Sequence, residues 1–405
     1  MNILKRTEQV TNNLNRIIAK LRTVNKDTDN NSFAANQPPL VQPTTVTEIL
    51  DTVRSNYHYN NIRGQSIAVL YTIEFAVALH SIGHQNVTVL TKDFCKVTKH
   101  IANDLGFKYN TINEAINMRM KFDIVIGNPP YNQGILKDTD IDQKWLEGTG
   151  GYPHLAIFNI SQTLVKENGL ISMLMPATLM TLISTDKWRR KVLKEGNVKE
   201  IKLLDNRKKE VFNIGVLWVC NVIYIAGEDY TTTKYVAGDS EVDANLLDYN
   251  YIDRAKNVTT WPMFYDLTVK SIFEKVRSKA LPLQRGQKED AEKVPSISYM
   301  LQGVPDNPVV NGTPQAKDGS GDLNGLGHIL FDTDQEANKY CDFMKSDVYQ
   351  LMISVTKSGF KTQPQFIVQI GGFDFSNIDV ANANELYTFF DFTDEEVVRI
   401  KNHVQ

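Results

Sequence analysis

The 405-residue sequence predicts an α/β protein: a doubly wound, mostly parallel sheet followed by a C-terminal α+β region. Three observations predict it. Short apolar, β-branched runs alternate with helix-like segments between Ser66 and Ile225, which is the spacing that parallel strands and their crossover helices require. Beyond about Ala226 this alternation gives way to irregular text. The length also exceeds what one hydrophobic core usually serves. The predicted organisation is an N-terminal helix and linker over residues 1–43, an α/β domain over 44–227 and a third region over 228–405.

Taken in order, Val10, Leu14, Ile17 and Leu21 recur at helical spacing among polar residues. The stripe is too short for a coiled coil, so its expected partner is the body of the chain itself. Residues 25–43, rich in Asn, Asp, Gln and Pro, read as a linker. Strands are predicted at Ser66–Tyr71, Asn86–Leu90, Phe107–Thr111 and Phe122–Ile126. Helices are predicted at Glu74–Ile82, Phe94–Leu105 and Asn113–Met120, with Gly83 and Gly106 as the stops after the first two. A helix over Leu155–Lys166, a strand over Gly169–Met175, a helix over Asp186–Glu195 and strands over Val198–Leu204 and Val216–Ile225 continue the pattern. Further on, Leu301–Leu326 is loaded with Gly, Pro, Asn and Asp and reads as a long functional or mobile loop. Gln335–Met352 reads as helix, Gln365–Ile370 as strand and Glu385–Lys401 as one or two helices.

The composition, 42% hydrophobic and 22% charged, supports ordinary cores, and no stretch is long and apolar enough to span a bilayer. The opening MNILKRTEQV places charges and Asn where a signal peptide has its apolar core, so a cytoplasmic protein is expected. Cys95, Cys220 and Cys341 are spaced for neither a disulfide framework nor a metal site. The net charge of −3 hides an asymmetry: Lys187 to Lys209 holds ten Lys or Arg against three acids. Such a segment is either a phosphate-facing surface on an acidic body or a solvated helix face.

The residues that carry chemistry run from Asp123 to Tyr131, DIVIGNPPY. An apolar strand passes directly into Asn128, Pro129, Pro130 and Tyr131. Two consecutive prolines fix φ twice and remove two N–H donors, so the chain leaves the sheet along one rigid path. It leaves at the strand's C-terminal edge, where doubly wound sheets bind ligands. The Asn128 side-chain oxygen and the Pro129 carbonyl are two acceptors at short separation, matched to the two N–H donors of an exocyclic amine. Drawing those bonds toward tetrahedral geometry weakens conjugation with a purine ring and stabilises the developing positive charge. Tyr131 offers a flat face on which a base extruded from the duplex can stack.

On these residues the chain resembles the DNA amino-methyltransferases, in the Asn-Pro-Pro-Tyr form of the N6-adenine enzymes. The resemblance extends through Tyr152–Lys166, GLISMLMPATLM at 169–180, WRRKVL at 188–193 and the run from Lys199 to Ile225. TKSGFKTQPQF at 356–366 and the terminal segment at 385–397 are similar to the C-terminal ends of restriction–modification methyltransferases of the gamma class. It implies a methyltransferase-like catalytic domain over 44–227, a target-recognition region over 228–405, S-adenosylmethionine as cofactor and double-stranded DNA as partner. No metal is implied, and a homodimer or a partner nuclease is left open.

The resemblance also assigns roles. It places Asp93 at the ribose hydroxyls and Asn113 or Glu114 beside the cofactor adenine. Glu74, at the edge of the first strand, is set to contact the methionine ammonium. The residues alone also permit Glu74 as a helix-start acid and Asp93 as a helix N-cap. Arg189, Arg190 and Lys191 are expected on DNA phosphates. Lys357 and Lys361, beside Gln363 and Gln365, form a second candidate contact, since Gln can read adenine bidentately. One departure stands out: Tyr71, Thr72, Ile73 and Glu74 occupy the turn that is usually glycine-rich. It keeps an alternative in play, a methyltransferase-like DNA-binding protein that is catalytically altered or uses another donor.

Overall fold

Strands buried on both faces need no polar alternation, and the runs IAVL and VTVLT are buried at every position. The computed structural model describes residues 8, 11–16, 41–57, 64–91, 102–131, 143–194, 197–205, 211–212, 218–238, 240–244, 267–300, 308–312, 326–356, 367 and 370–404. They form two units, Met1–Val236 with Asp243–Leu247, and Ala237–Val242 with Asp248–Gln405.

The first carries β1 (Ile67–Leu70), β2 (Val87–Thr91), β3 (Lys108–Thr111), β4 (Phe122–Gly127), β5 (Val165–Pro176), β6 (Val198–Asp205) and β7 (Trp218–Ile225). With β8 (Thr233–Ala237) and β9 (Ser240–Ala244) they make a nine-stranded sheet ordered β3-β2-β1-β4-β5-β7-β6-β8-β9. The first five in this order are parallel, and β7 runs antiparallel to both β5 and β6. This is the mixed α/β, mostly parallel architecture expected from the spacing. The register brings four strand ends to one level: Leu70 faces Leu90 and Gly127, Thr91 faces Thr111, and Gly127 faces Met173.

Helices α1 (Pro43–Asn56), α2 (Ile73–Ser81), α3 (Ile112–Asn117), α4 (Pro153–Leu164) and α5 (Asp186–Lys194) accompany these strands. Residues 11–16 are helical, Leu14 is fully buried, and Asn13 Nδ2 donates to Ser81 Oγ at the end of α2 at 2.9 Å. The N-terminal segment therefore docks on its own body, as its short stripe predicts. Val10, Ile17 and Leu21 lie outside the described residues. The helix expected to reach Lys166 stops at Leu164, because Val165 turns extended and pairs with Phe122. At the opposite edge of the sheet from the strand ends, the Asp123 carboxylate accepts from the Ser66 N–H (2.8 Å), the Ser66 hydroxyl (2.6 Å) and Lys166 Nζ (2.9 Å). That cluster joins β1, β4 and β5.

The second unit holds an antiparallel sheet of β10 (Gln284–Gly286), β11 (Ser296–Met300), β12 (Val309–Val310) and β13 (Leu326–Leu330), ordered β10-β13-β11-β12. Its helices are α6 (Leu267–Ser278), α7 (Asp334–Lys345), α8 (Asp347–Thr356), α9 (Ala383–Phe389) and α10 (Asp394–Val404). Phe343 centres an aromatic core with Tyr340, Tyr349, Phe373 and Phe375, ring centroids 5.1–5.6 Å apart. Two local expectations are corrected. Gln335–Met352 is not one helix: Ser346 is extended, and its hydroxyl accepts from the Tyr349 N–H as the cap of α8. In the segment read as a strand, Ile367 and Ile370 are helical and buried, and the turn ends on Gly371, whose N–H returns to Ile367 O at φ +99°.

Candidate active site at the end of the fourth strand

Strand β4 ends between two neighbours so close that Gly127 has no room for a side chain: a Cβ there would meet Met173 Sδ at 2.8 Å and Leu70 Cβ at 2.9 Å. The chain then turns out through Asn128, Pro129 and Pro130, all buried, to the half-buried Tyr131. The Asn128 N–H reaches Leu70 O at 3.4 Å, and Thr72 Oγ1 donates to the Asn128 carbonyl at 3.4 Å. The corner is thus tied to the end of β1.

The four motif residues lie together at the end of β4 in a closed arrangement. The Tyr131 hydroxyl donates to Asn128 Oδ1 at 2.6 Å, with Leu174 O a more distant acceptor at 3.5 Å. Burial pushes the Tyr131 phenol well above its ordinary value, with Cys220 adding to the effect, so the hydroxyl stays a neutral donor. Its ring stands edge-on to His154 and Phe212, centroids 6.0 Å away in each case.

The turn after β1 keeps a glycine-like backbone without glycine. Tyr71 sits at φ +64°, and the Thr72 N–H returns across it to Leu70 O at 2.8 Å, a tight three-residue turn. The Tyr71 ring is buried. Glu74, one turn on in α2, is 3% exposed, and its carboxylate accepts from the Val41 N–H at 3.1 Å. Burial raises it to about 7, although the N–H groups of Glu74 itself and of Val41 pull the other way. Among the described residues no basic side chain is paired with it.

The other predicted positions divide. Asn113 and Glu114 begin α3 at the same strand-end level, both exposed; the Glu114 carboxylate accepts from the Thr111 N–H in a capping box. Asp93, Lys357 and Lys361 lie outside the described residues. Arg189, read as a phosphate contact, is 4% exposed and donates through Nη1 to Leu179 O, Leu182 O and Thr185 Oγ1. Burial lowers it to about 10, Arg190 adding to this and Asp186 opposing it. Arg190 is half-buried and paired with Asp186 at 2.9 Å, whereas Lys191 is exposed. Elsewhere in the basic segment, Lys187 pairs with Glu147 and Lys202 with Glu48, so its described residues do not form one uniform cationic face.

Arg189 therefore braces the loop before α5. Arg189→Met leaves the Leu179 and Leu182 carbonyls without this donor and is expected to lower stability by about 3 kcal/mol in urea unfolding. Lys191→Ala is expected to stay within about 0.5 kcal/mol. Equal stabilities would remove the bracing role.

Sequence reasoning missed His154. It is the second residue of α4, 1% exposed, and among the described residues neither ring nitrogen has a hydrogen-bond partner. Burial lowers it to about 3, so the ring is neutral. Pro153 marks the helix start, and a histidine just inside an otherwise apolar helix was the available clue. Among the described residues no group of three or more His, Cys, Asp and Glu is placed to hold a metal, and no helix is long and apolar enough to cross a membrane.

The large, mostly parallel sheet, with the Asn128–Tyr131 corner at its strand ends, is a mixed α/β architecture. Residues 48–212, less than half of the chain, match the Eco57I restriction-modification methylase family. Among solved structures, the methyltransferase subunit of a type I restriction-modification system from Streptococcus thermophilus is 16% identical, with 56% of this chain and 52% of that one covered at a TM-score of 0.37. The type IIG restriction endonuclease BpuSI is 9% identical, with 88% and 61% covered at a TM-score of 0.42. DrdV, solved in complex with DNA, is 15% identical, with 48% and 26% covered at a TM-score of 0.36. The chain spans about half the length of the Streptococcus structure. No curated protein matches the sequence.

Proposed function

We propose that the chain is an S-adenosylmethionine-dependent DNA methyltransferase that modifies the N6 amine of an adenine extruded from the duplex. One observation carries the reading: a diproline corner at the end of β4 holds the Asn128 oxygen beside the Tyr131 ring, at the strand-end level where Glu74 also lies. An acceptor held rigidly in place polarises an amine without reorganising during reaction. The match of residues 48–212 to a restriction-modification methylase family supports the assignment.

The cofactor fits an unmet need of the chain. Glu74 is a buried carboxylate paired only with backbone N–H groups among the described residues, and a ligand ammonium would supply the missing positive charge. Bound S-adenosylmethionine supplies an electrophilic methyl group. Asn128 orients the amine, Tyr131 holds the base by its ring, and the apolar wall of Phe212 and Leu174 excludes water. Lys191 is an exposed cation of α5 available to a DNA phosphate, and residues 228–405 are the proposed target-recognition region.

Expression in a methylation-deficient bacterial host, followed by sequencing for modified adenines, tests the reading. The expected result is N6-methyladenine at one short sequence. A folded chain that leaves every adenine unmodified overturns it. The buried Tyr71 ring in the cofactor turn favours a second reading, a DNA-binding protein that has lost the methyl donor. Calorimetry separates the two: heat of binding with S-adenosylmethionine belongs only to the first.

A further inference from the structure

A buried polar atom without a partner is rare enough to need a cause, and His154 has two on one ring. A neutral imidazole carries one N–H donor and one bare nitrogen acceptor. Both are already withdrawn from water in α4, so their desolvation is a cost borne by every folded molecule. The ring lies directly beside Tyr131, the residue whose hydroxyl fills the Asn128 acceptor.

That hydroxyl is in the way. Asn128 Oδ1 accepts it at 2.6 Å, and the same oxygen is the one assigned to the amine's N–H. An amide oxygen has two lone pairs and the phenol holds one of them, so an arriving amine competes with it for Asn128 Oδ1, and a buried hydroxyl that loses its acceptor weakens whatever state requires it. Burial keeps the phenol protonated, so it still has a proton to give.

We propose that His154 is a positioning residue whose bare ring nitrogen takes over the Tyr131 hydroxyl when the adenine amine displaces it from Asn128. The proposal rests on the reading of Asn128 as the amine acceptor. It accounts for the closed pair and the bare ring nitrogen at once: the Tyr131–Asn128 pair is the resting arrangement, and the bare nitrogen is the acceptor reserved for the engaged one. No covalent step is involved; one hydrogen bond is exchanged for another. The competing acceptor is Leu174 O, already 3.5 Å from the hydroxyl.

A double-mutant cycle on the full chain tests the exchange. His154→Phe keeps an aromatic ring and removes the acceptor, and kcat/KM for methyl transfer to target DNA is expected to fall about tenfold, the scale of one neutral hydrogen bond. His154→Asn, which restores a polar acceptor, is expected to recover most of that loss. Tyr131→Phe removes the hydroxyl that must move, so adding His154→Phe to it should cost less than twofold more. Thermal unfolding monitors the fold, and His154→Leu carries the same test if the phenylalanine does not fit.

A tenfold loss from His154→Phe that persists in the Tyr131→Phe background overturns the exchange, because His154 then acts on something other than the hydroxyl. No loss from His154→Phe also overturns it and points to Leu174 O. A wild-type chain without any methylation removes the reading of the site and the inference together, whereas wild-type methylation with uncoupled losses removes the inference alone.

Discussion

Asn128→Ala is expected to lower methyl transfer about a thousandfold while the chain stays folded. The estimate follows from the role: loss of one preorganised polar partner for developing charge typically costs about 10²–10³ in rate. The amine also loses one of its two acceptors and the orientation it provides. The fold is expected to lose only about 1–2 kcal/mol, since the Tyr131 hydroxyl gives up its bond to Asn128 Oδ1 while the prolines and the strand remain. Labelled methyl incorporation into DNA reads the first effect, and urea unfolding reads the second. Activity within threefold of wild type would show that the corner does not hold the amine.

Glu74→Gln is expected to act in two opposite directions. Burial lifts the folded carboxylate from the ordinary 4.5 to about 7. The unfolded chain has therefore released the proton above 4.5 while the folded chain retains it up to about 7. The associated stability is fully present below 4.5 and is lost as the pH rises through 7, on the order of 3 kcal/mol at 1.36 kcal/mol per unit. Gln does not titrate and escapes that loss. In urea unfolding the variant should gain on wild type between pH 5 and pH 8. Affinity for S-adenosylmethionine, measured by calorimetry, should fall at least tenfold, since the ammonium loses a charge-assisted partner. Stability curves that stay parallel from pH 5 to pH 8 would remove the argument from burial, and unchanged affinity would remove Glu74 from the cofactor site.

Much of the α/β unit was legible because buried parallel strands announce themselves as unbroken apolar runs. Glycines such as Gly83, with φ near +90°, end helices in ways the letters disclose. The corner was legible because Asn-Pro-Pro constrains backbone and chemistry together. Ser346 before Asp347 was a readable cap that a continuous helical period obscured. Ile367 to Ile370 spans too few residues to separate one helical turn from a short strand.

Other features lay beyond linear text. Val165 leaves its helix because Phe122 waits beside it, a tertiary partner that local preference does not contain. Arg189 and Lys191 carry the same charge two positions apart, yet helical geometry turns one inward onto Leu179 and leaves the other exposed. His154 gains its meaning from Tyr131, a neighbour 23 positions earlier that no local pattern places beside it.

The positive-φ turn at Tyr71 also sets what a single substitution there can do. A non-glycine residue in this conformation costs about 1–2 kcal/mol, whereas deleting a buried aromatic side chain costs about 3–5 kcal/mol. A lone mutation to glycine would thus lose more packing than it relieves in backbone. Tyr71→Gly is therefore expected to destabilise the fold, because this bend is held by its buried ring and not by the freedom of its backbone.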